Sequence, residues 1–391
     1  MSAPSVIAWG AFLVLIYAYF GYPLLLLIIG RLRRMPPLVT SDALPRVTMV
    51  IAAWNEENVI AKKLDNALSQ SYPQHLLDVI VVSDGSTDAT DEIAAGYAER
   101  TKRVTLLRTS ERRGKSGALN VGLPAAAGDI VVLTDANAMF APDAVASLVR
   151  PLADGRIGVV SGQLHYVNHD SAGEGEGAYW RYEQRVKQAE SALGMLLGAN
   201  GSIYAIRREF FRPLRPRDVD DFRIPYEVLL RGSQAVIEPA AKSFEPTAGD
   251  LWAEYRRKVR IMATAIPMML ALIGPTLVRG RLLLLWQLIS HKVLREIQGL
   301  FFLGMLIGSG WGTAIGDRWL LALLMAQIAL LGGGAAGWAR SVPWRVLKLA
   351  AHYDMIVIAS LAALGLWVSG GVRPTWQPSR ASAAESPEGR P

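Results

Sequence analysis

The chain has 391 residues, 51% of them hydrophobic, and a mean hydropathy of +0.24, which allows one globular core plus several membrane helices and excludes an ordinary soluble protein. It contains no cysteine, so disulfides, thiolate metal sites and a thiol nucleophile are excluded, and any metal must be held by oxygen or nitrogen. The formal charge of +7 suits anionic partners, yet Arg31, Arg33 and Arg34 follow the first apolar segment directly and point to membrane orientation instead.

Val6 to Gly30 is 25 residues without a charge, long enough to cross a hydrocarbon core of about 30 Å. A cleaved signal peptide is the alternative, but the run is too long, its start carries no Lys or Arg, and the basic cluster lies on its far side. It reads as a transmembrane helix. The positive-inside rule then places the amino terminus outside and Arg31 onward in the cytoplasm.

Residues 45–250 alternate in the manner of a βα domain. Val47–Ala53, Val79–Ser83, Val104–Arg108 and Ile130–Thr134 are short β-branched runs, each followed by a helical pattern of about a dozen residues. Strands separated by helices predict a mostly parallel sheet with ligands at its carboxyl-terminal edge. Ala53-Trp54-Asn55-Glu56-Glu57 ends the first strand and opens a helix, where Ala53 and Glu56 are candidates to grip a base, ribose or phosphate; acidic caps are the plain alternative. Asp84 in Ser-Asp-Gly-Ser-Thr-Asp can accept from a nucleobase or ribose, with an Asx-turn as its alternative, and Asp88 reads as a helix cap.

Arg112-Arg113-Gly114-Lys115-Ser116-Gly117 lacks the glycine spacing of a Walker loop. A basic loop before a helix still suits a diphosphate, with Lys115 as the point charge. Asp135 and Asn137 flank Ala136 so that both can face one side of an extended strand end, a hard-oxygen site for Mg²⁺ or Mn²⁺, although a turn pair would use the same residues. Val219-Asp220-Asp221 is a third acidic signal further on.

Beyond the domain, 251–295 read as interfacial amphipathic helices: Arg257-Lys258-Val259-Arg260-Ile261 is basic, and Met262–Val278 is apolar but interrupted by Pro267 and Pro275. His291, Lys292, Arg295 and Glu296 interrupt the next apolar run and mark a membrane boundary rather than a proton path. In 296–372, Trp319–Trp338 and Met355–Val372 read as spans, and Ile297–Trp311 counts as another if extended backwards. Four crossings in all would return the carboxyl terminus to the outside, with Arg340, Arg345 and Lys348 in a cytoplasmic turn. The tail, 373–391, is small, polar and Pro-containing and reads as disordered.

In order and context these motifs resemble the membrane-integrated family 2 glycosyltransferases, the branch that includes chitin, hyaluronan, poly-N-acetylglucosamine and cellulose synthases. The likeness covers about residues 46–262 by motif and the flanking segments by architecture. It implies an α/β GT-A fold, a Rossmann-like nucleotide-sugar domain inserted between transmembrane helices of a bacterial inner or plasma membrane, on the cytoplasmic side. It also implies that Asp84 contacts the nucleoside, that Asp135 with Asn137 is the metal-binding "DxD" motif, and that Lys115 in Gly-Lys-Ser-Gly-Ala-Leu-Asn stands near the donor. Val219-Asp220-Asp221 aligns with "TED", which makes Asp221 the general base. Gly198-Ala-Asn-Gly-Ser is similar to the loop on the acceptor side, where Asn200, Gly201, Asp220 and Arg257 are expected.

Processive synthases carry "QxxRW" where this chain has Arg257 to Ile261. Arg260, the arginine near the diphosphate, is kept, but Arg257 replaces Gln and Ile261 replaces Trp. Ile offers no flat face to a sugar, which argues against polymer threading. The expected reaction is a single displacement with inversion, dependent on Mg²⁺ or Mn²⁺. The expected partners are a nucleotide-sugar donor, a polysaccharide or lipid-linked acceptor and the bilayer, with no nucleic acid. Two rivals are a non-processive transferase acting on a polyprenyl phosphate or other lipid, and a membrane scaffold that only binds nucleotide.

Overall fold

The computed structural model describes residues 2–33, 36, 39, 41, 43–167, 174–246, 251–338 and 344–371; Arg34, Arg340, Val372 and the tail lie outside the described residues. Helices α1 (Ala3–Ile16) and α2 (Tyr22–Leu32) join through a π-helical turn at Tyr17–Gly21 into one continuous apolar rod, Ala3–Leu32.

Strands β1 (Val47–Ala53), β2 (Leu77–Ser83), β3 (Val104–Arg108), β4 (Ile130–Asp135), β5 (Met139–Phe140), β6 (Ile157–Val167), β7 (Tyr204–Arg207) and β8 (Gln234–Pro246) form one sheet in the order β3-β2-β1-β4-β7-β6-β8-β5. Helices α3 (Ile60–Leu68), α4 (Thr90–Arg100) and α5 (Gly114–Ala125) are the crossovers between the first four strands, which pair in parallel. The period of two along β1 sends Met49 and Ile51 to one core, with Ile60 and Leu64 of α3, and Val50 and Ala52 to the other, with Leu119 and Leu123 of α5. Both faces are covered, so every residue of β1 is buried.

The expectation of a mostly parallel sheet holds only for this half. After Asp135 the chain takes a tight turn instead of a crossover helix, and β4–β7, β7–β6 and β5–β8 all pair antiparallel, while β6–β8 is parallel. Helix α6 (Ala144–Val149) backs this half, α7 (Glu174–Ser191) leads to the loop before β7, and α8 (Asp220–Leu230) follows it.

Helix α9 (Leu251–Val278) runs unbroken through Pro267 and Pro275, which corrects the reading of a segment interrupted by its prolines. Packing on both sides holds it. Met268, Met269 and Leu272 enter the core of the domain, and Met262, Ala263 and Ile266 meet Met355, Ile356 and Ala359. Next come α10 (Leu282–Gln287), a π-helical stretch Leu288–Val293, and α11 (Leu294–Glu296); this arm is bent by 63° against α12 (Gln298–Ala314). Helices α13 (Arg318–Trp338) and α14 (Arg345–Val368) complete the bundle, α14 beginning ten residues before the expected span at Met355. Ala3–Leu32, Glu254–Val278, α13 and α14 are long and apolar enough to cross a membrane, and the bent pair would make a fifth.

Candidate active site

The carboxyl-terminal ends of β1, β2 and β4 converge at one edge, as parallel pairing in register demands: Ala53 lies opposite Ser83, and Ala52 opposite Asp135. Ala53 is buried within the sheet, its carbonyl accepting from Asp84 N at 2.8 Å. Beyond it the chain turns sharply: Asn55 adopts φ 53°, a left-handed conformation that Asn tolerates better than most residues. Asn55 Oδ1 accepts from Thr87 N at 2.8 Å, and Glu56 N donates to Thr90 Oγ1 at 2.7 Å, so this loop is stitched to the one after β2. Asp88 does the capping work expected of it, accepting from Thr90 N and from Glu57 N.

Asp84 is 4% exposed and clamps the basic loop. Its Oδ1 accepts from Arg113 N at 2.9 Å and its Oδ2 from Gly114 N at 2.7 Å. Gly114 has φ +76°, the left-handed conformation that glycine takes without strain, and it opens α5. The Arg112 guanidinium stacks on Trp54 at 3.4 Å, with Nε and one terminal nitrogen buried and without a hydrogen-bond partner among the described residues. That planar donor was missed in the sequence because it sits among other arginines.

The second residue of α5, Lys115, is the centre of the site. Its Nζ lies 2.7 Å from Asp135 Oδ1, 3.5 Å from Asp220 Oδ2 and 3.3 Å from the Gly201 carbonyl. Burial alone would lower its pKa, but Asp135 and Asp220 more than offset this and raise it, so it is a fixed positive charge. Asp135 ends β4, whereas Asn137 stands in the turn that follows, so the shared-face argument from an extended strand does not apply to Asn137.

Beneath this turn lies Lys63, fully buried. Its Nζ donates to Thr134 Oγ1 at 2.9 Å and to the Ala138 carbonyl, and it faces the Phe140 ring at 4.1 Å. Glu245, at the end of β8, faces the same turn, and burial and then Asp135 push its carboxyl up to about 7. Neither residue carried a sequence signal, since a lysine inside an amphipathic helix and a glutamate before a proline read as surface positions.

Asp220 and Asp221 open α8 and point differently. Asp220 is 6% exposed and its Oδ2 accepts from Tyr204 OH at 2.7 Å. Asp221 turns toward the loop before β7: its carbonyl accepts from Ala199 N at 2.7 Å. Burial and then Asp220 push its carboxyl up to about 6, against the pull of Lys115 and Lys187. On that loop, Asn200 N donates to Ser161 Oγ at 2.9 Å, and Asn200 Nδ2 is buried without a partner among the described residues.

Arg257 and Arg260 stand on α9, not at the strand ends. Arg257 pairs with Glu254 through Nε at 2.6 Å. Helix α9 touches the acidic motif instead at Met268, whose sulfur accepts from Val219 N at 3.4 Å.

The comparisons with known proteins meet this geometry. Residues 48–214 match the family model described as glycosyl transferase family 2, a stretch that holds Asp84, Lys115, Asp135 and the loop at Asn200. The chain carries a family 2 glycosyltransferase domain. A beta-monoglucosyldiacylglycerol synthase from Nostoc sp. is 30% identical over 212 residues, 53% of this chain and 45% of that one. A poly-beta-1,6-N-acetyl-D-glucosamine synthase from Staphylococcus aureus is 26% identical over 229 residues, 56% of this chain and 55% of that one. The chain thus spans about half the length of these curated relatives. A solved mannosyltransferase from Pyrobaculum calidifontis, in complex with GDP-Man and Mn²⁺, is 23% identical with a TM-score of 0.69, covering 93% of this chain and 99% of its own. The glycosyltransferase domain therefore has the GT-A fold, with apolar helices at both ends that could span a membrane.

Proposed function

We propose that the protein is an inverting transferase held in a membrane, moving one sugar from a nucleotide-sugar donor to the hydroxyl of a lipid-linked acceptor. The observation that carries this reading is the convergence on Lys115 of Asp135 at the end of β4, Asp220 at the start of α8 and the carbonyl of Gly201. A donor-side carboxylate and the acceptor-side loop share one cation. Next to them stands Asp221, a carboxyl raised toward neutrality and so matched to accept a proton.

In this reading Asp84 presents the basic loop to the donor, Arg112 offers in-plane N–H groups to the base, and Asn55 and Glu56 line its edge. Asp221 takes the acceptor proton as the oxygen attacks the anomeric carbon, and the bond to the nucleoside diphosphate breaks on the opposite face. Lys115 neutralises charge on the departing diphosphate, and Asp135 is released to other partners.

Among the described residues no group of three or more His, Cys, Asp or Glu could hold a metal ion by itself. Asp135 and Asn137 supply hard oxygen ligands, which fits a Mg²⁺ or Mn²⁺ ion completed by donor phosphates rather than a protein-only cage. Such an ion would neutralise developing negative charge on the leaving group.

Helix packing supports a membrane placement. Helix α12 runs antiparallel beside α1: Tyr19 OH donates to Gln298 Oε1 at 2.6 Å near one end, and Ser5 Oγ donates to Asp317 Oδ2 at 3.4 Å near the other. It therefore crosses with α1. Helix α9 holds to the catalytic domain from Met268 to Thr276, where Tyr226 OH and Thr276 Oγ1 are 2.6 Å apart, so it lies along the interface despite its apolar composition. Together with α13 and α14 this makes four crossings, with the domain on the cytoplasmic side of Arg31 and Arg33.

Transfer of a single sugar is favoured over polymer synthesis by Ile261, 37% exposed where processive relatives would stack a ring. The test is to incubate purified protein in nanodiscs with labelled nucleotide sugars and bacterial lipid extract. A labelled lipid carrying one sugar supports the reading, a ladder of long products replaces it with a polymerase, and no donor turnover overturns it.

A further inference from the structure

Helix α7 presents Glu183, Lys187 and Glu190 at spacings of four and three, on one face. The two glutamates are taken by the arm. Glu183 meets His291 Nε2 at 3.1 Å, Lys292 at 3.4 Å and Arg295 at 2.9 Å, and Glu190 meets His291 Nδ1 and Tyr22 OH, each at 2.6 Å. Lys187, between them, is left without a carboxylate inside ion-pair distance among the described residues. Its Nζ donates instead to the Ala199 carbonyl at 3.3 Å, and Ala199 N donates to the Asp221 carbonyl at 2.7 Å.

This arrangement solves a charge problem in the site. Asp220 and Asp221 are adjacent, the first buried and the second half-buried, and Asp220 already has Tyr204 OH at 2.7 Å and Lys115 at 3.5 Å. Lys115 is also committed to Asp135 at 2.7 Å. The charges that act most strongly on Asp221 are Asp220 from its own helix, Lys115 from α5, Lys187 from α7 and Asp135 from the end of β4. Of the two cations, Lys115 is already paired with Asp135, whereas Lys187 reaches the Asp221 segment through the Ala199 carbonyl and has no carboxylate at ion-pair distance among the described residues.

We propose that Lys187 is a positioning residue for Asp221: its ammonium holds the loop on which Asp221 rests and supplies the counter-charge that this carboxylate needs to work as a base. The inference rests on the reading of Asp221 as the base. Burial and then Lys292 pull Lys187 toward its neutral form, and Glu183, Asp221 and Glu190 oppose them. Removing the ammonium leaves Asp221 facing Asp220 with weaker compensation, so protonation of Asp221 becomes easier.

The pairing is read first without turnover, on the full-length protein in nanodiscs. In thermal unfolding the double variant Lys187→Met/Asp221→Asn should lose clearly less Tm than the sum of the two single losses; additive losses overturn the proposal. The kinetic arm follows kcat/KM from pH 5 to 9 with whichever of UDP-glucose, UDP-N-acetylglucosamine and GDP-mannose the wild-type protein turns over. Lys187→Met should move the low-pH limb upward by roughly one unit, about tenfold in rate on that limb, with donor KM little changed, and Lys187→Arg should restore most of the shift. A limb that stays in place, or Lys187→Arg behaving as Lys187→Met, overturns it. No turnover of any donor by the wild type would count against the proposed function, and the thermal cycle would then decide the role of Lys187 alone.

Discussion

Asp221 fills the space that a side chain at Gly201 would need: a Cβ added at Gly201 would lie 2.8 Å from Asp221 Oδ2. The obstructed atom is the tip of a rotatable side chain, so Gly201→Ala should fold with a Tm within a few degrees of wild type while swinging the carboxylate off line. Turnover should fall by about 10²-fold, the scale expected when a catalytic group is misplaced by about 1 Å. Thermal unfolding beside kcat checks both halves; an unchanged kcat would mean that Asp221 does not work from this position.

Asp221→Asn keeps size and polarity but cannot accept a proton, and should lower kcat by about 10² to 10⁴ with donor affinity nearly unchanged. Asp220→Asn should cost much less turnover, since Asp220 already accepts from Tyr204 OH and lies 3.5 Å from Lys115, and should appear mainly as a lower Tm. Calorimetric donor binding with kcat for both variants separates them. Equal losses of kcat would reassign Asp221.

The pH profile has a defined sign. A base must be unprotonated to act, and the Asp221 carboxyl is pushed up to about 6 by burial and by Asp220. Wild-type kcat/KM should therefore rise with pH through about 6 and level off above it, a limb that Asp221→Asn abolishes. A profile flat from pH 5 to 8 would contradict the assignment.

Removal of divalent ions should abolish transfer, and Asp135→Ala should do the same with the fold intact. The non-kinetic readout is Mn²⁺ binding by electron paramagnetic resonance in the presence of a nucleoside diphosphate, which Asp135→Ala should weaken at least tenfold. Full turnover in excess chelator would end the metal reading.

For topology, a reporter fused after residue 45 should behave as cytoplasmic and one at the carboxyl terminus as external. An internal carboxyl terminus would mean an odd number of crossings. Helix α9 would then be the first suspect, because Glu254–Val278 has the length and composition of a span.

The periodic parts of the chain were legible in the sequence because local physics decides them. Unbroken apolar runs reported α1 to α2 and α13, and β-branched runs between helical patterns reported the four parallel strands almost to the residue. Asp84 and Asp135 were candidates because they follow apolar strands, Lys115 because it lies in a basic loop before a helix, and Asp221 because Val219-Asp220-Asp221 resembles a family motif. What stayed hidden depends on contacts between residues far apart in sequence. The antiparallel half of the sheet is set by how β7 and β8 return, and no local pattern records strand direction. The continuity of α9 through two prolines comes from its packing between the domain and α14. Lys63, Glu245 and Lys187 gave no local signal, because a charged side chain shows that it will be enclosed near other charges only when the elements around it are in place.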